Sequence, residues 1–284
     1  MIHVRHRHAA IAAATLALAA SFAAPAAGAN TIQSPSYPDQ LGGTPPAVTA
    51  QVREDSSNLP VVWVGSALDF PGINTRARSY FEKNGLRFFE WAPLAVTATD
   101  PNVGVFDHIN KYTPSLNAYI DDVLRQTGAP KVNLVTFSQG GLISAVWQRQ
   151  GNNASKVDKV VNISGLVHGS PAAQLANQLL PGGCLGIGTC QDLDPNSDVI
   201  HFITNPTEAL PGIEYLNIDS RADIVAGPYT NNLMFGDGDY QNVLIEDMCP
   251  FQQVDHPLMG FHHAVHEMIV QFFRGQDVKP HCIP

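Results

Sequence analysis

The sequence predicts an α/β domain: a mostly parallel sheet flanked by helices, interrupted by one long insertion at about 165–211. Three observations predict it. From residue 61 onward, short apolar runs alternate with segments of helical period. Right-handed crossovers turn that pattern into a parallel sheet covered on both faces. One run, Val132 to Phe137, passes directly into a helical segment through Ser138-Gln139-Gly140. The composition is 44% hydrophobic and 14% charged, against roughly a quarter charged in an average soluble domain, which suits a well-packed chain.

Residues 1–29 read as a signal peptide. Arg5 and Arg7 form a basic start, Ala9 to Ala20 an apolar run, and Ala27-Gly28-Ala29 a small-residue cleavage site. The run is shorter than the about 20 apolar residues that a membrane-crossing helix needs, so an uncleaved anchor is the weaker alternative. Cleavage leaves residues 30–284 as one secreted, soluble domain. Its first part, 30–58, is rich in Pro, Ser, Thr and Gly and reads as an irregular arm.

The elements then follow in order. Val61 to Val64 is a buried strand ending at Gly65, residues 73–84 a helix stopped by Gly85, and Leu86 to Trp91 a second strand. Pro114 to Gln126 is a helix capped by Thr113, with Pro114 in its first turn and Gly128 beyond its end. Its apolar positions Leu116, Tyr119, Ile120, Val123 and Leu124 share one face. After the strand Val132 to Phe137 and the helix Gly140 to Gln148 come strands at Val157 to Ile163, Ile213 to Ile218 and Val243 to Ile245. A closing helix spans Met259 to Phe273. The insertion at 165–211 breaks the alternation, and stretches of that length in a compact domain usually carry function.

The formal net charge of −9 argues against nucleic acid as a partner, since no basic stripe is present to displace counterions. Four cysteines in the second half fit export. Three pairings are possible, and local closure favours Cys184–Cys190 with Cys249–Cys282. The spacing is wrong for a zinc site. His262 and His266 lie four apart but lack a third ligand, and Gly236-Asp237-Gly238-Asp239 reads as a turn rather than a calcium loop. No metal or cofactor is called for.

The chemistry centres on Ser138. A serine on a sharp strand-to-helix turn projects its hydroxyl from the sheet edge, and the turn crowds the residues two before and two after it. Gly140 meets that requirement; Thr136 stands where glycine is commoner. A serine hydroxyl needs a base, and the base needs an orienting acid, in the chain order Ser, acid, His on this type of sheet. Asp219 and Asp223 both follow a strand; Asp223 is favoured because it lies in the loop, free to reach an imidazole. His256, ahead of the closing helix, is the favoured base, whereas His262, His263 and His266 lie within the helix. Oxyanion donors are expected from the backbone of Gln139 and from the loop Gly65-Ser66-Ala67, with the Ser66 hydroxyl as a possible third.

The segment Thr136-Phe137-Ser138-Gln139-Gly140-Gly141 resembles the Thr-Trp-Ser-Gln-Gly-Gly elbow of lipase B-type α/β-hydrolases, and Ser155-Lys156-Val157-Asp158 is also similar. Asp223 to Tyr229 and Asn242 to Pro250, followed by Asp255-His256, resemble the class 2 secreted bacterial triacylglycerol lipases. The resemblance covers roughly residues 60–275 and is weakest in the insertion. Many class 2 lipases have His-Gly in the oxyanion loop; Val64-Gly65-Ser66 is closer to the Gly-Thr of lipase B. The resemblance implies an α/β-hydrolase fold and a serine carboxylester hydrolase with triad Ser138, Asp223 and His256 and oxyanion donors Ser66 and Gln139. The expected partners are a small-molecule ester or lipid and, transiently, lipid interfaces; the sequence does not determine the oligomeric state, a monomer being the expectation. Phe88 to Leu94, Phe70-Pro71 and Leu179-Leu180-Pro181 are candidate walls of an acyl pocket, with core packing the alternative for Phe88 and Phe89. The insertion is a candidate lid tightened by Cys184–Cys190, and Cys249–Cys282 would steady the loop leading to His256. The competing functions keep the triad for a thioester, peptide or acyl-transfer reaction, or make the chain an inactive binding protein on the same scaffold.

Overall fold

The first strand shows why the sheet lies in the middle of the molecule. In β1 (Pro60–Val64) successive side chains point to opposite faces, yet Val61, Val62, Trp63 and Val64 are all fully buried. Val62 and Val64 enter one apolar layer, Val61 and Trp63 another. A strand apolar on both faces is a central strand of a parallel sheet.

The computed structural model describes residues 54–282. The expected signal segment 1–29 and the expected arm up to residue 53 lie outside the described residues. After β1 come α1 (Thr75–Lys83), β2 (Arg87–Trp91), α2 (Pro93–Thr99), α3 (Thr113–Thr127), β3 (Val132–Phe137), α4 (Gln139–Arg149) and β4 (Val157–Ile163). The segment between β4 and β5 holds α5 (Pro171–Leu179), α6 (Gly188–Asp192) and α7 (Asp198–Thr204). The chain then forms β5 (Glu214–Asp219), β6 (Tyr240–Leu244), α8 (Ile245–Met248), α9 (His256–Met259) and α10 (His263–Phe273).

The sheet order is β2-β1-β3-β4-β5-β6, and every neighbouring pair is parallel. The chain steps from β1 to β2 on one side, then crosses back to place β3 on the other. That reversal opens a crevice at the carboxyl ends of β1 and β3, where open α/β sheets bind ligands. On one face Leu116, Ile120 and Val123 of α3, with Leu142 and Val146 of α4, pack against Val62, Leu134 and Val160. On the other, Phe81 of α1 and Val265, Met268 and Phe272 of α10 pack against Trp63, Val135 and Val161.

Several elements differ from expectation. Thr113 does not cap α3: it is the first helical residue, and its hydroxyl donates to the Asn110 carbonyl. The closing helix is two pieces, α9 and α10, with a break at Gly260; there the Gly260 carbonyl accepts from His266 Nε2 at 2.8 Å. Helix α2 follows β2 directly, at a place where the sequence pattern predicts no helix, and is opened by Pro93, whose fixed φ suits a first helical turn. Phe88 and Phe89 do not wall a pocket. Phe88 packs between Trp63 and Phe81 in the core, and Phe89 against the opposite layer. The last strand begins earlier, at Tyr240, and Ile245 starts a helix.

Both disulfides are formed, Cys184–Cys190 and Cys249–Cys282, spanning 6 and 33 residues. Loop-closure entropy makes the longer link the stronger stabiliser. We expect Cys249→Ser/Cys282→Ser to lower the unfolding free energy by about 3–4 kcal/mol in urea titrations, and Cys184→Ser/Cys190→Ser by about 2 kcal/mol. Equal losses would show that strain or residual structure outweighs chain entropy.

Candidate active site

Ser138 sits between β3 and α4 with φ 54° and ψ −125°, a conformation that non-glycine residues rarely hold without support from their surroundings. Support comes from its N–H, which donates to the Ile163 carbonyl at 3.0 Å, and from its carbonyl, which accepts from Gly141 N–H at 2.9 Å. The start of α4 is wedged between two strand ends. A Cβ on Gly140 would collide with the carbonyl oxygens of Val64 and Gly65, and one on Gly141 would lie 2.5 Å from that of Gly165. Neither position has room for a side chain.

The same packing explains how Thr136 is tolerated two residues before the serine. It is fully buried, and its hydroxyl donates to Asn162 Oδ1 at 2.7 Å. Asn162 Nδ2 donates to Asn217 Oδ1 and Asn217 Nδ2 to Asn242 Oδ1, at 2.9 and 2.8 Å. These four residues stand in register on β3, β4, β5 and β6. They form a polar ladder across the sheet, buried at Thr136, Asn162 and Asn217 and reaching the surface at Asn242, that ends on the backbone of Met234. Sequence reasoning missed it; the signal was one asparagine near the end of each of two consecutive apolar strands.

The imidazole of His256 brings the serine and one aspartate together. Nε2 lies 2.8 Å from Ser138 Oγ and Nδ1 lies 2.6 Å from Asp223 Oδ2. The ring stacks on Phe137, centroids 5.3 Å apart. With the Nδ1 proton donated to the carboxylate, Nε2 is left to accept the serine proton. Asp223 Oδ1 accepts from the N–H groups of Val225 and Ala226 at 2.9 and 2.8 Å. Burial works against the Asp223 charge, but the His256 imidazole and the Ala226 N–H outweigh it and hold the carboxyl below its ordinary value. Ser138, His256 and Asp223 are all buried.

Asp219, the other acid considered, is not part of this relay. It ends β5, fully enclosed, and neither carboxyl oxygen has a hydrogen-bond partner among the described residues. Burial, then the nearby charge of Asp223, pushes its pKa well above the ordinary 3.8; Asn232 and Ser164 oppose this from nearby, outside hydrogen-bonding geometry.

Gln139 begins α4 with its N–H unused by any protein acceptor among the described residues, and the same holds for Ser66 N–H. The packing of Gly140 on Val64 and Gly65 holds the two loops together. The Ser66 hydroxyl is committed elsewhere: it donates to Asp69 Oδ1 at 2.6 Å, and Asn74 donates to the other oxygen of Asp69 at 3.0 Å. It is therefore not a third donor, since one hydroxyl carries one proton.

The insertion reaches this site through Thr189. Gln139 Nε2 donates to Thr189 Oγ1 at 2.6 Å, and that hydroxyl donates to the Asp107 carbonyl at 2.7 Å. Asp192 accepts from Ile109 N–H and pairs with His108 Nδ1 at 2.8 Å. The α6 end of the insertion is thereby clamped onto the 106–109 segment. Around the site's loops, apolar side chains face solvent: Leu68 and Phe70 beyond Ser66, Ile224 beyond Asp223, Leu258 beyond His256, and Leu175 and Leu179 on α5. Among the described residues, no group of three or more His, Cys, Asp or Glu side chains has metal-binding geometry.

No protein-family model matches the chain, and no curated protein matches it. Solved structures do. Aspergillus fumigatus lipase B superposes with a TM-score of 0.60 at 13% identity, over 83% of this chain and 56% of that one. The chain thus spans just over half the length of that lipase. A structure from the metagenome-derived lipolytic enzymes LipS and LipT gives 0.51 at 14% identity, over 78% and 96% of the two chains. Bacillus licheniformis lipase BlEst2 in its mature form gives 0.50 at 17%, over 73% and 88%. At such identities the likeness establishes the fold, and that fold is the α/β-hydrolase fold.

A raised Asp219 pKa fixes the sign of a stability effect. The unfolded chain releases this proton near the ordinary value while the folded chain retains it, so the folded state loses stability as pH rises above about 3.9. Asp219→Asn, which mimics the protonated side chain, should stabilise the protein at neutral pH, and the gain should vanish below that value. Urea unfolding at pH 7 and pH 3.5 measures both. A gain that persists at the lower pH would assign it to packing instead.

Proposed function

We propose that the chain hydrolyses carboxylic esters through an acyl-enzyme on Ser138. The observation that carries this reading is the unbroken hydrogen-bonded relay from Ser138 Oγ through His256 to Asp223. In the first half-reaction the hydroxyl attacks the ester carbonyl as His256 Nε2 takes its proton. The imidazolium, stabilised by Asp223, then gives that proton to the departing alcohol. In the second half-reaction a water attacks the acyl-serine by the same route, and the carboxylic acid leaves. The developing oxyanion is held by the N–H groups of Gln139 and Ser66. Each such donor typically contributes about 10²–10³ in rate. Thr189 fixes the Gln139 side chain, and so keeps the first turn of α4 from shifting as charge develops.

Lipid esters are the substrate class we favour. The apolar side chains at Leu68, Phe70, Leu175, Leu179, Ile224 and Leu258 belong to the loops that carry the acting residues or to the insertion. Exposed apolar side chains on the loops that carry a site favour an aggregated or membrane-bound substrate over a water-soluble one. We also propose that the protein acts outside the cytosol: two disulfides persist only in an oxidising compartment, and the first 29 residues have the pattern of a signal peptide. Among the described residues no helix is long and apolar enough to cross a membrane.

Turnover of nitrophenyl esters with acyl chains from acetyl to palmitoyl, measured beside Ser138→Ala, tests the reading. We expect the variant to lose about 10⁶ in kcat and the wild type to prefer the longer chains. Undiminished turnover in Ser138→Ala would remove the proposed nucleophile, and a preference for acetyl would remove the lipid assignment.

A further inference from the structure

A cavity of about 640 Å³ opens beside the loop that carries His256. None of Ser138, Gln139, Asp223 or His256 lines it. Its apolar lining is Pro250, Phe251, Val254, Leu258 and Phe261, with the Cys249–Cys282 disulfide. Phe251 is fully exposed, an unusual state for a phenylalanine unless something packs against it. Its polar lining is Arg76, His262 and His263, with Gln252 and Gln253.

The charge in this cleft is uncompensated. No aspartate or glutamate lines it, although the chain as a whole carries a net charge of −9. Arg76 has no ion pair among the described residues, and the acid on the adjoining helix, Glu267, is engaged with His281. The Nδ1 atoms of His262 and His263 are shielded from solvent and have no hydrogen-bond partner. Tyr80 packs its ring against His263 and His266, fixing the imidazole wall in place. Burial first, then His263 and Arg76, holds His262 below its ordinary value, and the more deeply buried His266 falls to about 4.

We propose that this cleft binds a carboxylate-terminated acyl chain, its head on Arg76, His262 and His263 and its tail along Phe251, Val254, Leu258 and Phe261. An apolar trough ending in one guanidinium and two imidazole donors matches that ligand in both halves. Val254 and Leu258 stand two residues to either side of His256, so an occupied cleft bears directly on the loop that holds the imidazole. Identifying the ligand as the product acid rests on the ester-hydrolase reading; the cleft's preference for an acyl carboxylate does not.

The test is a titration of the full chain with sodium decanoate, followed by NMR of the histidine side chains. Decanamide serves as the uncharged control, and Arg76→Gln as the variant. We expect saturable shifts at His262 and His263, retained in Ser138→Ala, with decanoate held about tenfold more weakly by Arg76→Gln and decanamide weaker still. Ester turnover in Arg76→Gln without decanoate should equal that of the wild type. Equal affinity for decanamide, indifference to Arg76→Gln, or shifts confined to His256 would overturn the proposal. Decanoate seated in the cleft of a chain without ester turnover would uphold the site and discard only its link to a product.

Discussion

Two glycines let the first turn of α4 approach the ends of β1 and β4 more closely than any side chain would permit, and the site depends on that contact. With Gly140 against the Val64 and Gly65 carbonyls and Gly141 against Gly165, the start of α4 is fixed relative to three strands. Ser138 is then held at positive φ by backbone bonds to Ile163 and Gly141, and the N–H of Gln139 stays beside the loop that begins at Gly65. A Cβ at either glycine would push α4 away, and the serine, the oxyanion donors and the imidazole would separate together. Backbone strain of about 1–3 kcal/mol at such a residue persists only when its surroundings over-determine it.

Buried polar groups supply the rest of that determination. The ladder from Thr136 through Asn162 and Asn217 to Asn242 crosses four strands just below the site. A one-residue slip of β3, β4 or β5 would break it and leave Thr136, Asn162 or Asn217 unpaired in a dry interior, at a cost of about 1–3 kcal/mol for each group. The ladder therefore fixes register where apolar strands alone would tolerate sliding. Thr189 and Asp192 do similar work for the insertion, tying α6 to the 106–109 segment and to the Gln139 side chain. These bonds hold the α6 end of the insertion to the rest of the domain, while α5 is tied within the insertion, Asn177 donating to Asp194 at 2.8 Å.

The strands were the most legible part of the sequence: Val61 to Val64 is an unbroken apolar run closed by Gly65, and the others are short, mostly apolar runs spaced by segments of helical period. The elbow was legible for the same reason, with a buried run meeting Ser138 and two glycines. Helix ends were harder to read. Thr113 has the right chemistry for a cap but lies one residue too late, and the split between α9 and α10 depends on His266 reaching back to the Gly260 carbonyl, a contact that periodicity does not encode. The choice between Asp219 and Asp223 turned on a single feature of position: the strand runs one residue further than its apolar pattern indicates and draws Asp219 into the sheet. The asparagine ladder left only a faint mark, one asparagine near the end of each of two apolar strands, while the Ser66–Asp69 bond and the Thr189 contact are set by local geometry or join residues far apart in the chain, and composition and spacing carry no trace of them.

The central claim is that Ser138, activated by His256, is the nucleophile. A nitrophenyl alkylphosphonate tests it most directly, because phosphonylation requires the same activated oxygen as acyl transfer. The account predicts one adduct per chain by intact mass, located on Ser138 by peptide mapping, released nitrophenolate in equal amount, and labelling slowed by orders of magnitude in His256→Ala. An adduct on another residue, or labelling of Ser138 at the same rate without His256, would contradict it.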